Sequence, residues 1–322
     1  MRDLRVSQDA ARPNDHSGLS ALREAAAVVD RSRRILHLTG RDPIGMLNAI
    51  LTNDVPTQED RGAYAMLLNP KGRIQTDLRV IKAGEGILID TEPEGSEAAK
   101  EILGRYAPFS RVKFEDIPES WSVLGLYGPR AGELLGDLGL AEHQSKEIEI
   151  EGRTLLVVGV EVPIGGFDLI GPPKSLAAAR GHLIETGATQ ADSATYETAR
   201  IEAGVPRFGA DITPENFPGE TGVIDRAVSF EKGCYPGQET VARMHYRGHP
   251  NKSLYHLTIE GAEVVAGAKI LQGEKVVGTI TSVAPIPVED RAPALGYLSR
   301  NADTGGSLRA GEARVRVLGA VS

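Results

Sequence analysis

Phe230-Glu231-Lys232-Gly233-Cys234-Tyr235-Pro236-Gly237-Gln238-Glu239-Thr240-Val241-Ala242-Arg243 is the stretch on which the reading of this 322-residue chain turns. Gly233 and Gly237 flank the cysteine and permit backbone angles and close approaches that other residues resist. Pro236-Gly237 reads as a turn, which puts Cys234 on a loop. Lys232 lies beside the thiol in sequence, with Arg243 and Arg247 beyond, and a nearby cation favours the thiolate. Two readings of Cys234 stand at this point: a small buried apolar residue, or a reactive thiol exposed at a cavity mouth.

Working outward, the chain holds one cysteine, which excludes an intramolecular disulfide and is too few for a protein-held iron–sulfur cluster. No Cys/His spacing suits zinc. His245 and His249 would share a helix face, but Gly248 and Pro250 argue against that helix, so no metal site is expected. Net charge is −8 with 5% aromatics, the wrong sign for a global nucleic-acid or anionic-membrane binder. No apolar run approaches the roughly 20 residues of a membrane span. No apolar segment follows Arg2, Asp3 and Arg5, so the expectation is a cytoplasmic protein.

The pattern along the chain predicts an α+β protein. Residues 1–18 read as a loose tail. Ser20 caps a helix carrying Leu22, Ala25, Ala26 and Val29 on one face. Strands follow at 35–39, 64–68, 74–81 and 87–90, with Asp42-Pro43 opening a helix between the first two. A helix at 97–103 and a strand at 111–114 close a first α+β unit, residues 19–116. The second unit, 117–245, has strands at 121–126, 153–160 and 167–170, helices at 175–185 and 197–203, and ends in the Cys234 loop. From 246 to 322, short β-runs between Gly and Pro turns predict a small antiparallel barrel. The boundary between the first two units leaves room for them to interleave in sequence.

Lys232-Gly233-Cys234-Tyr235-x-Gly237-Gln238-Glu239, with Ala242-Arg243 and Arg247-Gly248 behind it, resembles the hallmark of the YgfZ family, in the aminomethyltransferase superfamily of the glycine-cleavage T-protein. Leu38-x-Gly40-x-Asp42 with Thr52-Asn53-Asp54, Leu68-Asn69-Pro70-Lys71-Gly72-Arg73-Ile74, Tyr127-Gly128-Pro129, and Arg200-Ile201-Glu202-Ala203-Gly204-Val205-Pro206 with Gly209 and Asp211 are similar to further family motifs. The resemblance spans roughly residues 30 to 320.

That resemblance implies a three-domain cloverleaf around a cavity for tetrahydrofolate or a derivative. It implies an accessory role for iron–sulfur enzymes, one of them tRNA-modifying, with iron–sulfur or cluster-delivery proteins as partners. In the true aminomethyltransferases the segment matching 73–78 carries two adjacent acids. Here Thr76 replaces the first and Asp77 remains, which weighs against glycine-cleavage activity. Alternatives are a folate-dependent one-carbon transferase, with Asp77 assisting proton transfer, and a non-catalytic folate-binding module. Cys234, Lys232 and Asp77 are the candidate reactive residues. Glu202 is the candidate for the pterin edge, since a carboxylate accepts two in-plane N–H bonds. Arg226, Arg243 and Arg247 are candidates for the folate tail, and Tyr235, Gln238 and Glu239 for ligand or loop contacts. The run 243–252 is a basic island with a tyrosine inside it, which could also meet RNA.

Overall fold

The computed structural model of the protein describes residues 16–84, 86–117, 121–288 and 290–322. The expected tail therefore lies outside the described residues up to position 15. From there the chain is already helical, in α1 (His16–Glu24). The helix stops before Ala25, where sequence reading continued it. Ala27–Arg31 is instead a strand, β1. Its Val28-Val29 pair is β-branched and fully buried between two partner strands, a setting that favours extended backbone.

Next come β2 (Arg34–Gly40), α2 (Pro43–Ile50), β3 (Ala63–Leu68), β4 (Ile74–Ala83), β5 (Gly86–Thr91), α3 (Ser96–Tyr106) and β6 (Val112–Asp116). The Asp42 side chain accepts from the Gly45 amide at 2.8 Å and caps α2, with Pro43 in its first turn. Then follow β7 (Ser122–Tyr127), α4 (Ala131–Leu134), β8 (Ser145–Ile150), β9 (Arg153–Val160), β10 (Gly166–Gly171), α5 (Pro173–Glu185), β11 (Thr189–Ala191), α6 (Ser193–Glu202), α7 (Ile224–Ala227) and α8 (Gln238–Arg247).

Two sheets result. One has the order β3-β4-β5-β2-β6, the other β11-β1-β7-β10-β9-β8. Strand β1 precedes every strand of the first sheet in sequence yet sits inside the second. Their facing sides share a core of Ile35, Ile81 and Leu88 with Val123, Leu156, Val158 and Ile170. Helices α2 and α3 cover the outer face of the first sheet, and α5 that of the second. Side chains alternate along a strand, so Asp77 and Arg79 of β4 point the same way as Ile81, into the space between the sheets.

The remaining strands, β12 (Lys252–Glu260), β13 (Lys269–Gln272), β14 (Lys275–Val283), β15 (Arg291–Ser299), β16 (Leu308–Ala310) and β17 (Ala313–Ala320), form a closed antiparallel barrel, as the short β-runs predict. It docks on α6 through Ile201, Leu254, Ala284, Leu295 and Tyr297. A buried polar clamp fixes the docking. Arg200 Nη1 donates to Asp211 Oδ2 at 2.7 Å and Nη2 to Ser282 Oγ at 3.1 Å, while Ser282 Oγ donates to Asp211 Oδ1 at 2.8 Å. The Arg207 amide also donates to Asp211, at 3.1 Å.

Asp211→Ala should strip Arg200 and Ser282 of this shared acceptor, while Arg200 keeps its pair with Glu197 and its bond to Val205 O. The expected loss is about 1–3 kcal/mol, read by urea unfolding. A variant as stable as the parent would remove the clamp from this account.

Candidate functional site

The polar ends of the facing sheets enclose a cavity of about 110 Å³. Six arginines line it, Arg31, Arg33, Arg79, Arg200, Arg207 and Arg226, with four carboxylates, Asp77, Glu92, Glu142 and Asp168. A groove of about 460 Å³ shares Arg31, Glu92, Tyr196 and Arg207 with it and leads outward past Glu94 and Glu197.

An ion-pair chain crosses between the sheets. Arg31 Nη1 donates to the Tyr127 hydroxyl at 2.8 Å, and Tyr127 donates to Asp168. Arg79 joins Asp168 of β10 to Asp90 of β5, with its Nε 2.7 Å from Asp90 Oδ2. Arg33 Nε donates to the other Asp90 oxygen at 2.6 Å and its Nη1 pairs with Glu92. Burial alone would push the Asp90 carboxyl up, but Arg33 and Arg79 together hold it below the usual range. Arg31 has no carboxylate partner among the described residues. Its guanidinium lies 3.7 Å from the Tyr196 ring centroid, a cation–π stack at the cavity–groove junction.

Asp77 is the exception among the acids. It is buried and accepts from the Tyr64 hydroxyl at 2.7 Å, with no cation paired to it among the described residues. Burial pushes its carboxyl up to about 6, although the Tyr64 bond and Arg33 pull the other way. A carboxyl poised there can accept or release a proton near neutral pH. The neighbouring Thr76 points to the opposite face, where its hydroxyl lies 3.1 Å from Thr91 Oγ1. Its replacement of an acid therefore leaves the cavity side of β4 unaltered, and it carries less weight against a transferase than the sequence suggests.

Arg226 was expected at the ligand and does line the cavity, its Nη2 2.6 Å from Glu142 Oε1. Glu202 does not. Helical residues turn about 100° per step, so with Arg200 turned inward Glu202 faces away. It pairs through both oxygens with Arg23 Nη2, at 2.7 and 2.8 Å, beside a separate groove between α1 and α6. The acid that α6 offers towards the outer groove is Glu197, one turn earlier.

The Cys234 loop lies outside the cavity wall. Cys234 is exposed. The Lys232 amine is turned to backbone, donating to Leu51 O at 2.7 Å and Asn53 O at 2.8 Å, and burial pushes it down to about 8. It thus anchors the loop to the end of α2 instead of serving the thiol directly. Tyr235 is buried in an apolar cluster with Met66, Leu68, Ile74 and Val241, and burial pushes its hydroxyl up to about 12. Gln238, Glu239, Arg243 and Arg247 ride on α8, and none of them lines the cavity. The helix that sequence reading doubted here forms, but it ends at Arg247, before His249. No group of three or more metal-ligating side chains occurs among the described residues.

Close packing couples this loop to the 69–72 turn. Gly237 and Gly72 both have left-handed φ, +83° and +80°. A Cβ on Gly237 would meet Asn69 O at 2.6 Å, and one on Gly72 would meet Thr240 Cβ at 2.8 Å. Glycine is needed at both positions for conformation and for space.

The site residues that sequence reading missed are Arg31, Arg33, Arg79, Tyr127, Asp168 and Tyr196, and of these only Tyr127 lies in a quoted motif. One signal was available: Arg79 and Asp168 are charges flanked by apolar residues within buried strands, where an unpaired charge would be prohibitive.

The family model described as the GCVT N-terminal domain matches residues 8–232. The chain is 28% identical over 294 residues to an aminomethyltransferase of Thermus thermophilus, covering 88% of this chain and 82% of that one. It is 29% identical over 268 residues to a tRNA-modifying protein YgfZ of Yersinia pestis, covering 80% and 78%. The crystal structure of glycine cleavage system aminomethyltransferase T from Bartonella henselae superposes with a TM-score of 0.80 at 21% identity, over 93% of this chain and 86% of that one. The aminomethyltransferase-type architecture expected from sequence is therefore present.

Asp77 generates a test. Its folded-state pKa is raised, so the fold binds that proton more tightly than the unfolded chain, and stability falls as pH rises from about 4 through about 6. Asp77→Asn, which cannot ionise, should gain on the parent across that window by about 2–3 kcal/mol at pH 7. Denaturant midpoints at pH 4, 5, 6 and 7 would show this. A constant difference between the two proteins would contradict the buried, raised carboxyl.

Proposed function

Because the chain belongs to the GCVT N-terminal domain family, we propose that it binds a reduced folate in the arginine-lined cavity and acts through the Cys234 loop as an accessory factor for iron–sulfur enzymes, including a tRNA-modifying one. The observation that carries the folate part is Asp77, a buried carboxylate at the cavity with a lone hydroxyl partner and no cation. Such a group is suited to the N–H edge of an aminopyrimidine ring. The enclosed volume suits a planar ring but not a whole drug-sized ligand, for which roughly 300–1,000 Å³ is usual. The adjoining groove takes the remainder. There Arg31, stacked on Tyr196, and Arg207, held loosely by Glu94 at 3.4 Å and Glu197 at 3.8 Å, offer cations to the tail carboxylates.

The accessory role rests on the exposure of Cys234 and on the resemblance of its loop to the YgfZ hallmark, and its tRNA side on the relative named as tRNA-modifying. A lone exposed thiol suits transient contact with a partner's thiol or an incoming cluster. Helix α8 beside it exposes Arg243, Arg247 and Tyr246, a surface for the partner protein or its RNA. A three-domain partition near residues 19–116, 117–245 and 246–322 is proposed with it, α1 and β1 being given to the second unit.

A second reading, a folate-dependent one-carbon transferase, is favoured by one feature. Asp77 is held where it can exchange a proton near neutral pH, and Thr76 does not intrude.

Calorimetric titration with 5-formyltetrahydrofolate separates these claims. The wild type should bind, Asp77→Ala and Arg31→Gln should weaken binding at least about tenfold, and Glu202→Ala should leave it unchanged. No binding by the wild type at millimolar ligand would sink the folate reading. For the thiol, the folded protein should be alkylated at Cys234 by iodoacetamide without denaturant. Protection until unfolding would remove the reactive-loop role, and turnover of an amine donor with tetrahydrofolate would favour the transferase.

A further inference from the structure

His143 stands on the cavity wall with no hydrogen bond to either ring nitrogen from the described residues. Its Nδ1 is buried as well as unpartnered. Its Nε2 is 3.9 Å from Glu142 Oε2, beyond hydrogen-bond reach. The residue is also held in a conformation that few side chains adopt, with φ +63°. Two backbone bonds pin it there: its amide donates to Gly159 O at 2.9 Å, and its carbonyl accepts from the Gly62 amide at 2.9 Å. Gly159 belongs to β9 and Gly62 directly precedes β3, so the imidazole is fixed from both sheets. Backbone held in a sparsely populated region persists where the surroundings over-determine it, which is common at functional sites.

Chemically, His143 is the one imidazole among the described residues on this wall. Most of the charged side chains around it are arginines and carboxylates engaged with one another, and Asp77 is engaged with the Tyr64 hydroxyl. Burial, then the cations Arg79 and Arg226, hold the imidazole down at about 3 against the pull of Asp90 and Asp168. At neutral pH it therefore offers one N–H and one lone pair and no charge. An anionic ligand group would be served by the arginines and would favour a protonated imidazole. A neutral imidazole among them suits a neutral partner that both donates and accepts.

We infer that His143 is a specificity residue of the cavity, hydrogen-bonding a neutral polar edge, of amide or ring N–H and C=O type, on the bound heterocycle. This deepens the folate reading and rests on it. Asp77 would hold a donor edge of the ring, Arg31 and Arg207 the charged tail, and His143 a neutral edge that none of these addresses.

The test follows the imidazole itself in the full-length protein. Ring nitrogens of the seven histidines are observed by long-range ¹H–¹⁵N spectra of histidine-labelled protein, with His143 assigned from its absence in His143→Asn, a residue that tolerates left-handed backbone. Without ligand, the His143 signals should keep the neutral pattern from pH 5 to 8. Saturating 5-formyltetrahydrofolate should shift one ring nitrogen towards a hydrogen-bonded value. His143→Leu should weaken that ligand about tenfold, and His143→Asn should weaken it less. Wild-type binding that leaves the His143 signals unmoved, or equal affinity in His143→Leu, overturns this inference alone. No binding by the wild type overturns the folate reading and this inference with it.

Discussion

Arg79 is the constraint on which the two sheets depend. It is a cation in the middle of a buried strand, and water reaches little of it. Its position is tolerable because Asp90 of its own sheet and Asp168 of the other both reach it. Removing one partner of such a pair is far more costly than the pair is stabilising. The bridge therefore fixes how the sheets face each other more than it adds net stability. Ile81, Leu88, Val123 and Ile170 fill the apolar side of the same interface. The cavity opens where that apolar packing gives way to the ion-pair chain.

A second buried clamp repeats the logic between α6 and the barrel. Arg200 and Asp211 satisfy each other and reach Ser282, so the segment following α6 is tied to the barrel as well as to the cavity wall. The two clamps leave the cavity with more guanidinium than carboxylate. That imbalance favours an anion, and the His143 ring and the Tyr64 hydroxyl stand among the charges as uncharged polar groups. The thiol loop is fixed independently, by Lys232 on the carbonyls after α2 and by the Gly72–Gly237 contact. The arginine-lined cavity and the thiol loop are thus separate surfaces on one scaffold.

Much of this was legible in the chain. The Asp42-Pro43 helix start, the strands of the first sheet and the barrel follow from capping, alternation and turn chemistry, all local effects. Asp77 and Arg226, each in or beside a recognisable motif, do line the cavity. Strand β1 was missed because Ala25–Val29 fits a helical face as readily as a strand, and only its two partner strands decide the matter. Strand β8 was missed because its alternation of Lys146, Glu147 and Glu149 looks like solvated loop.

Glu202 shows the limit most plainly. The sequence places it in a motif with Arg200 and Asp211, and composition alone makes it an attractive carboxylate for a ligand edge. The helical rotation between positions 200 and 202 cannot serve the cavity with both, and burial of Arg200 against Asp211 settles which one turns inward. The sequence by itself determined most of the element types, the barrel, the Pro236-Gly237 turn and the identity of the loop cysteine, because those depend on neighbours along the chain. The tertiary structure alone decided the Arg31–Tyr127–Asp168–Arg79–Asp90–Arg33–Glu92 chain, the orphaned His143 and the outward Glu202, because each depends on which faces of distant strands and helices meet.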